Sequence, residues 1–155
     1  MHTFSFLTLP ACTIMVLISS LVQAAPPASK AAPNASVSII EPKDGATVSS
    51  PFSVKFGISN MILIPAGVAH PESGHHHLLV DIDTLPDLSL PIPADAQHIH
   101  FGKAQKETTL ELAPGKHTLQ LLLGDHFHRP HDKPVLSEKI TITVKEKNSE
   151  KKKNK

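Results

Sequence analysis

The 155-residue chain is rich in proline, poor in aromatic residues and almost neutral. It has 14 Pro, 7 Gly and six Phe but no Trp or Tyr, and its formal net charge is +1. This composition disfavours long helices and predicts a domain with many turns and an aliphatic core. Six Lys lie after residue 144, so the preceding chain is mildly acidic. A nucleic-acid-binding domain is therefore not expected, because such domains place Lys and Arg on a folded face.

The first 24 residues have the pattern of a secretory signal peptide. Residues 4–22 are apolar and uncharged, and Ala24 and Ala25 offer a cleavage site. A retained anchor is the alternative, but Pro10 and the Ala-rich end favour cleavage. We expect a periplasmic or secreted protein with no stable membrane anchor after cleavage. Because Cys12 is the only cysteine, the mature protein should have no disulfides and no thiolate metal ligands.

The rest of the chain is expected to contain one β domain between two irregular segments. Residues 25–35 are rich in Pro, Ala and Ser and predict a flexible linker, and residues 145–155 predict a disordered basic tail. Residues 36–144 predict seven short strands at 36–40, 52–58, 76–82, 97–101, 107–112, 117–123 and 137–144. An antiparallel, immunoglobulin-like β-sandwich of about seven strands fits this pattern best.

Eight of the eleven histidines lie in three clusters. The first begins a predicted central strand, the second lies in a short strand and the third in a loop; the clusters are His75-His76-His77, His98-Ile99-His100 and His126-Phe127-His128 with His131. Residues i and i+2 of a strand share a face. Each cluster can therefore present two imidazoles together, provided that the third segment is extended. His76 should face the opposite way, and His117 is expected to be structural.

The three clusters are predicted to converge on one metal site. The candidate ligands are His75, His77, His98, His100, His126, His128 and His131. Asp81, Asp125 and Asp132 could accept hydrogen bonds from the distal ring nitrogens. Arg129 could bind an anion there or shape the loop by pairing with an aspartate. Imidazole ligands favour copper or zinc, and the lack of mature Cys disfavours Cu(I).

Three functions remain open from these residues. The first is an exported metal-binding module for copper or zinc handling or delivery, whose partners are the metal ion and a periplasmic protein. The second is a metal-dependent enzyme, either a hydrolase or a copper oxidoreductase, that uses the same histidines. No Ser-based nucleophile motif is visible, and Glu72 is the nearest candidate general base. The third is an interaction module without a metal, which the lack of Trp and Tyr disfavours.

Several motifs resemble one family over almost the whole predicted domain. They are Glu41-Pro42-Lys43-Asp44-Gly45, Gly74-His75-His76-His77-Leu78-Leu79, Pro91-Ile92-Pro93-Ala94-Asp95, Gln97-His98-Ile99-His100-Phe101-Gly102 and Leu122-Leu123-Gly124-Asp125-His126. With them, residues 37–144 resemble a secreted bacterial family known as domain of unknown function 4399. The resemblance implies a bacterial, exported, single-domain protein and supplies no activity.

Overall fold

Residues 27–146 are described by a computed structural model and form an all-β, immunoglobulin-like sandwich without a helix. The strands are β1 (Ser36–Glu41), β2 (Thr47–Ser49), β3 (Phe52–Ser59), β4 (Ile62–Leu63), β5 (Ser73–Val80), β6 (His98–Phe101), β7 (Glu107–Leu110), β8 (Gly115–Gly124) and β9 (Ile140–Lys145). Seven of the nine have four residues or more and match the predicted strands. The predicted signal peptide, and the predicted tail beyond residue 146, lie outside the described residues.

Two sheets make up the sandwich. The smaller has the order β1-β3-β7, and the larger has the order β2-β9-β8-β5-β4 with β6 also paired to β5. Most neighbours are antiparallel, whereas β2 with β9 and β4 with β5 are parallel. β5 therefore has β8 along one edge and β4 followed by β6 along the other. Between residues 27 and 146, no helix is long and apolar enough to cross a bilayer.

The main core lies between the two sheets. The alternation in β3 places Phe52, Val54 and Phe56 inward and leaves the polar residues between them exposed. These side chains pack against Leu78 of β5 and Leu121 of β8, both fully buried. The core is aliphatic apart from a few Phe, as the composition predicts.

β5 is the central strand of the larger sheet, and all eight of its residues are buried. Its inner face carries His76, Leu78 and Val80, which are covered by the smaller sheet. Its outer face ends at Leu79, which packs in a second apolar cluster with Ile92 and Leu122. Ile92 belongs to the Pro-rich connection between β5 and β6, so this connection covers the outer face. The outer face of β5 is consequently buried, as the inner face is.

The segment that precedes β1 lies against the loop that follows β8. We call residues 27–32 the N-terminal strap and residues 125–131, which follow β8, the ligand loop. The Ser29 hydroxyl donates to Asp125 Oδ2 (2.8 Å), and the Asp132 amide donates to the Ser29 carbonyl oxygen (2.9 Å). Arg129 Nη2 also donates to the Pro27 carbonyl oxygen, so a segment predicted to be a flexible linker is held by hydrogen bonds from residue 27 onward.

Candidate metal centre

Four imidazoles meet on the outer face of the larger sheet. They belong to His75 and His77 of β5, His100 of β6 and His128 of the ligand loop. Five of the six distances between their ring centroids lie between 4.8 and 5.0 Å, and the sixth, between His77 and His128, is 6.1 Å. Two histidines of the first predicted cluster and one from each of the other two thus converge at one place.

The strand register explains three of these four positions. Alternation places His75 and His77 on the same face of β5. The antiparallel register pairs His77 with His100 on β6, and it pairs His75 with Gly124 on β8. His128 follows Gly124 by four residues and approaches from the loop side. Two neighbouring strands and one loop therefore build the cluster.

The donor atoms of His75, His100 and His128 lie within 4.8 Å of one another, so this group could hold a metal ion. His77 Nε2 is 3.1 Å from His75 Nε2, and one of the two donates to the other. Two nitrogens bound to one tetrahedral zinc ion are about 3.3 Å apart, given Zn–N bonds of about 2.0–2.1 Å. The cluster therefore offers three ligands that converge and a fourth ring beside them.

Burial keeps the rings of His75 and His77 neutral. Burial lowers the pKa of His75 to about 4 and that of His77 to about 2, and repulsion from neighbouring imidazoles adds to the effect. Burial and His128 also lower the pKa of His100. Only the neutral imidazole has a lone pair for a metal. At neutral pH His75 and His77 consequently present the form that binds a metal.

Two nitrogens of the cluster are buried without a hydrogen-bond partner in residues 27–146, His77 Nδ1 and His100 Nε2. A buried polar atom without a partner costs about 1–3 kcal/mol, and each such atom calls for a physical explanation. A metal ion would use the lone pair of His100 Nε2.

Two glycines make room for the rings. A Cβ at Gly102 would lie 2.8 Å from His100 Nε2, and a Cβ at Gly124 would lie 2.9 Å from His77 Nε2. Neither residue is among the glycines with positive φ, so backbone conformation does not explain the choice of glycine. The imidazoles do explain it. A glycine inside or beside a strand can signal such a close approach, and this signal could have identified both positions, which were not singled out from the sequence.

Asp125 shapes the ligand loop. Its Oδ1 accepts hydrogen bonds from the amides of Phe127 (2.8 Å) and Arg129 (3.0 Å), and its carbonyl oxygen accepts one from the amide of His128 (2.8 Å). His128 has a φ of +62°. The loop is thus a tight turn, so the extended conformation on which the pairing of His126 with His128 depended is not present. Because the chain turns, His126 and His128 do not share a face.

Three predicted ligands lie away from the cluster. His98 is opposite Leu79 in the register, two residues or roughly 6.6 Å along the sheet from the His77–His100 pair, and its Nδ1 donates to Asp95. His126 stacks on Phe127 and lines an open surface pocket with Lys30 and Glu72. His131 is buried and donates from Nε2 to the Ser73 carbonyl oxygen (3.0 Å).

The other polar residues predicted at the site take different roles. Asp81 follows the far end of β5, six residues or roughly 20 Å from His75, and bonds His117 Nδ1 (2.7 Å). Asp132 accepts the amide of Ala31 through Oδ1 (3.0 Å). Arg129 lies over the Phe127 ring and donates to the Pro27 carbonyl oxygen (3.1 Å). Of the three aspartates, Asp125 is the one whose charge acts on His75.

The two histidines that we expected to be separate from the site are separate. His76 points into the main core, where its ring lies 5.2 Å from that of Phe56. Burial lowers its pKa to about 4. His117 bonds Asp81 and, through Nε2, the Ala113 carbonyl oxygen (2.9 Å), at the other end of the sheet.

Two solved structures with a similar fold were found. The endo-beta-1,4-mannanase of Thermotoga petrophila is 14% identical with a TM-score of 0.44, and the match covers 74% of this chain and 20% of that one. The fibronectin(III)-like modules of Clostridium thermocellum CbhA are 16% identical with a TM-score of 0.40, and the match covers 70% of this chain and 95% of that one. No match was found among curated proteins.

One protein family matches the chain. Its model, described as a domain of unknown function, DUF4399, matches residues 54–145. This range contains all four imidazoles of the cluster and both glycines beside them. The chain therefore belongs to the DUF4399 family.

Proposed function

We propose that this protein is an exported metal-binding module that takes part in copper or zinc handling or delivery. The observation that carries the proposal is the convergence of His75, His100 and His128, with donor atoms within 4.8 Å of one another, next to His77. Three separate chain segments supply these rings. Imidazoles that converge at this spacing are suited to bind a divalent metal.

The donor set favours Zn(II) or Cu(II) over Cu(I). All the converging donors are imidazole nitrogens, which suit borderline ions, whereas Cu(I) prefers thiolate and thioether sulfur. Met61, the sole methionine after residue 24, accepts a hydrogen bond at Sδ from the Ala32 amide (3.3 Å), away from the rings. Sulfur is thus not part of the centre.

His77 distinguishes metal handling from catalysis. If its Nε2 binds the ion, the four imidazoles close the coordination shell, as in structural sites. If it does not, three ligands leave an open position, as in catalytic zinc sites. Asp125 is a poor general base, because Ser29, Phe127 and Arg129 already donate hydrogen bonds to its carboxylate. We therefore favour handling over a metal-dependent enzyme.

A competition titration with Zn(II) and Cu(II) tests the proposal on the full chain without an affinity tag. We compare the wild type with the double variant His100→Ala/His128→Ala. The matched control is His98→Ala/His126→Ala, which also removes one histidine from β6 and one from the ligand loop. We expect one tightly bound ion in the wild type and in the control. The centre variant should bind on the order of 100-fold more weakly or worse, because even the loss of a group behind a ligand costs about 10–100-fold.

Two results would contradict this function. One is a wild type that binds neither metal more tightly than the centre variant does. The other is an equal loss of affinity in the control and the centre variant, which would mean that surface histidines bind the metal without a defined site.

A further inference from the structure

We propose that the N-terminal strap is a latch that holds His128 in place through Asp125 and so slows the release of the metal. This inference rests on the proposed metal-binding function and adds a control element to it. The latch consists of Ser29 on the strap and the Asp125 carboxylate on the ligand loop.

Four hydrogen bonds join the strap to the ligand loop and to Asp132, the residue that follows it, and each spans more than 95 residues of sequence. Ser29 Oγ donates to Asp125 Oδ2, and the Ser29 carbonyl oxygen accepts the Asp132 amide. The Ala31 amide donates to Asp132 Oδ1, and Arg129 Nη2 donates to the Pro27 carbonyl oxygen. These bonds involve the Ser29 side chain and the backbone of Pro27, Ser29 and Ala31. The strap therefore contacts the loop at several positions along its length.

Asp125 transmits this contact to His128. While Oδ2 accepts the Ser29 hydroxyl, Oδ1 accepts the amides of Phe127 and Arg129, the two residues that flank His128. The carboxylate is 1% exposed, so water does not replace a lost partner easily. Without the Ser29 bond, Asp125 Oδ2 is left buried without that hydrogen-bond donor. The carboxylate is then held less firmly, and so is the turn that positions His128.

His128 is the ligand on which release depends. His75, His77 and His100 lie on strands whose backbones are fixed by ladder hydrogen bonds. His128 lies in a turn with a φ of +62°, a conformation that a non-glycine residue adopts only when its surroundings hold it there. His128 and His100 are also partly exposed, whereas His75 and His77 are buried. The ion therefore leaves on the His128 side, after the loop moves.

Metal dissociation from the full chain tests the latch. The protein is loaded with one equivalent of Cu(II) or Zn(II) and mixed rapidly with excess chelator. We expect Ser29→Ala to release the ion roughly 10-fold faster than the wild type, by analogy with other groups that support a ligand. Ser29→Thr keeps a hydroxyl and should restore slow release. The matched control is Ser89→Ala, which removes a similar serine–aspartate bond, from Ser89 to Asp87, in the connection between β5 and β6.

A second variant and a second readout guard against a general loss of structure. Ala31→Pro keeps the side chains of Ser29 and Asp125 but removes the Ala31 amide that bonds Asp132 and helps to hold the strap against the loop, so it should also speed release. Hydrogen exchange at the Phe127 and Arg129 amides should accelerate in Ser29→Ala, while the amides of β8 stay protected.

The outcomes separate the two proposals. If the wild type binds neither metal tightly, the proposed function fails and the latch fails with it. If the wild type binds tightly but Ser29→Ala and Ala31→Pro release the ion at the wild-type rate, the latch alone is overturned. Equal acceleration in Ser89→Ala would also overturn it.

Discussion

At the scale of single residues, the centre depends on two glycines as well as on its histidines. Gly102 and Gly124 leave the space that the His100 and His77 rings occupy. Their backbone conformations are ones that other residues adopt. Glycine at these two positions is therefore explained by the imidazoles, which makes it a test of whether ring placement matters.

The substitution Gly102→Ala should weaken metal binding roughly 10-fold or more while the domain stays folded. The new Cβ would crowd His100 Nε2 and turn the ring away from His75 and His128. The measurement is the same competition titration, together with a urea melt. Gly57→Ala is the control, because a Cβ there also meets a side chain, that of Ser38, but in the smaller sheet. Equal affinities in wild type and Gly102→Ala would show that His100 is not a ligand.

The substitution His76→Leu should stabilise the domain by about 1–3 kcal/mol. Neither ring nitrogen of His76 has a hydrogen-bond partner among residues 27–146, although the side chain is fully buried beside Phe56. Replacing an unsatisfied polar group with an apolar one removes its desolvation cost. Urea unfolding of both proteins measures the difference, and metal affinity should not change, since His76 faces the other side of β5. A less stable variant would mean that the histidine has a role in the core.

At the scale of elements, the ends of β5 carry two different histidine pairings. At its start the strand supplies His75 and His77 to the centre. Just beyond its end, Asp81 accepts hydrogen bonds from the beginning of β8, at Oδ2 from His117 Nδ1 and at Oδ1 from the Thr118 amide. Both nitrogens of His117 face oxygen acceptors, so the ring satisfies both bonds only when it is protonated.

The His117–Asp81 pair should make stability depend on pH in a defined direction. Burial of the ring opposes protonation, but the bonds to Asp81 and to the Ala113 carbonyl outweigh it and raise the pKa of His117. A raised pKa in the folded state stabilises the fold below the ordinary value of 6.5, and this contribution is lost as pH rises through the raised pKa. Asp81→Asn keeps an acceptor for the Thr118 amide and removes the charge.

We expect Asp81→Asn to lower the free energy of unfolding more at pH 5.5 than at pH 8.5, by less than about 1 kcal/mol because the pair is partly exposed. Denaturant melts at the two pH values measure this. A loss that is equal at both, or larger at pH 8.5, would contradict the assignment of an imidazolium at this corner.

Strand alternation predicted which histidines of β5 and β6 share a face, but it could not decide which of them meet. His98 and His100 share a face, and the register alone places His100 beside His77 and His98 beside Leu79. Register depends on how two strands are aligned with each other, and the alternation of residues within each strand does not specify that alignment. The conformation of the ligand loop was not predicted for a different reason. Asp125 folds it through hydrogen bonds to following amides, a local interaction that competes with extended structure and separates His126 from His128.

At the scale of the whole molecule, the fold was predictable and the strap was not. Seven alternating or apolar segments separated by turn residues predicted a β-sandwich, and β5 was correctly expected to be central because both of its faces are apolar. The strap has no periodicity. Its position depends on bonds to residues about 100 positions away, from Ser29 to Asp125 and from Ala31 to Asp132.

Metal binding should stabilise the whole domain, because the centre joins β5, β6 and the ligand loop. With free metal at about 100 times its Kd, the expected gain is about 2.7 kcal/mol, or a rise in Tm of roughly 10 °C for a domain of this size. Thermal melts with and without Zn(II) measure it, and His100→Ala/His128→Ala should show almost no rise. An equal rise in both proteins would place the bound metal elsewhere.

X-ray absorption spectroscopy of the full, untagged chain with one equivalent of Zn(II) or Cu(II) tests the central claim most directly, because it counts and identifies the ligands. We predict three or four imidazole nitrogens at about 2.0 Å and no sulfur, with one imidazole fewer in His128→Ala and an unchanged spectrum in His126→Ala. A first shell with sulfur, a shell with fewer than three imidazoles, or a spectrum that His128→Ala leaves unchanged would contradict a centre formed by His75, His100 and His128.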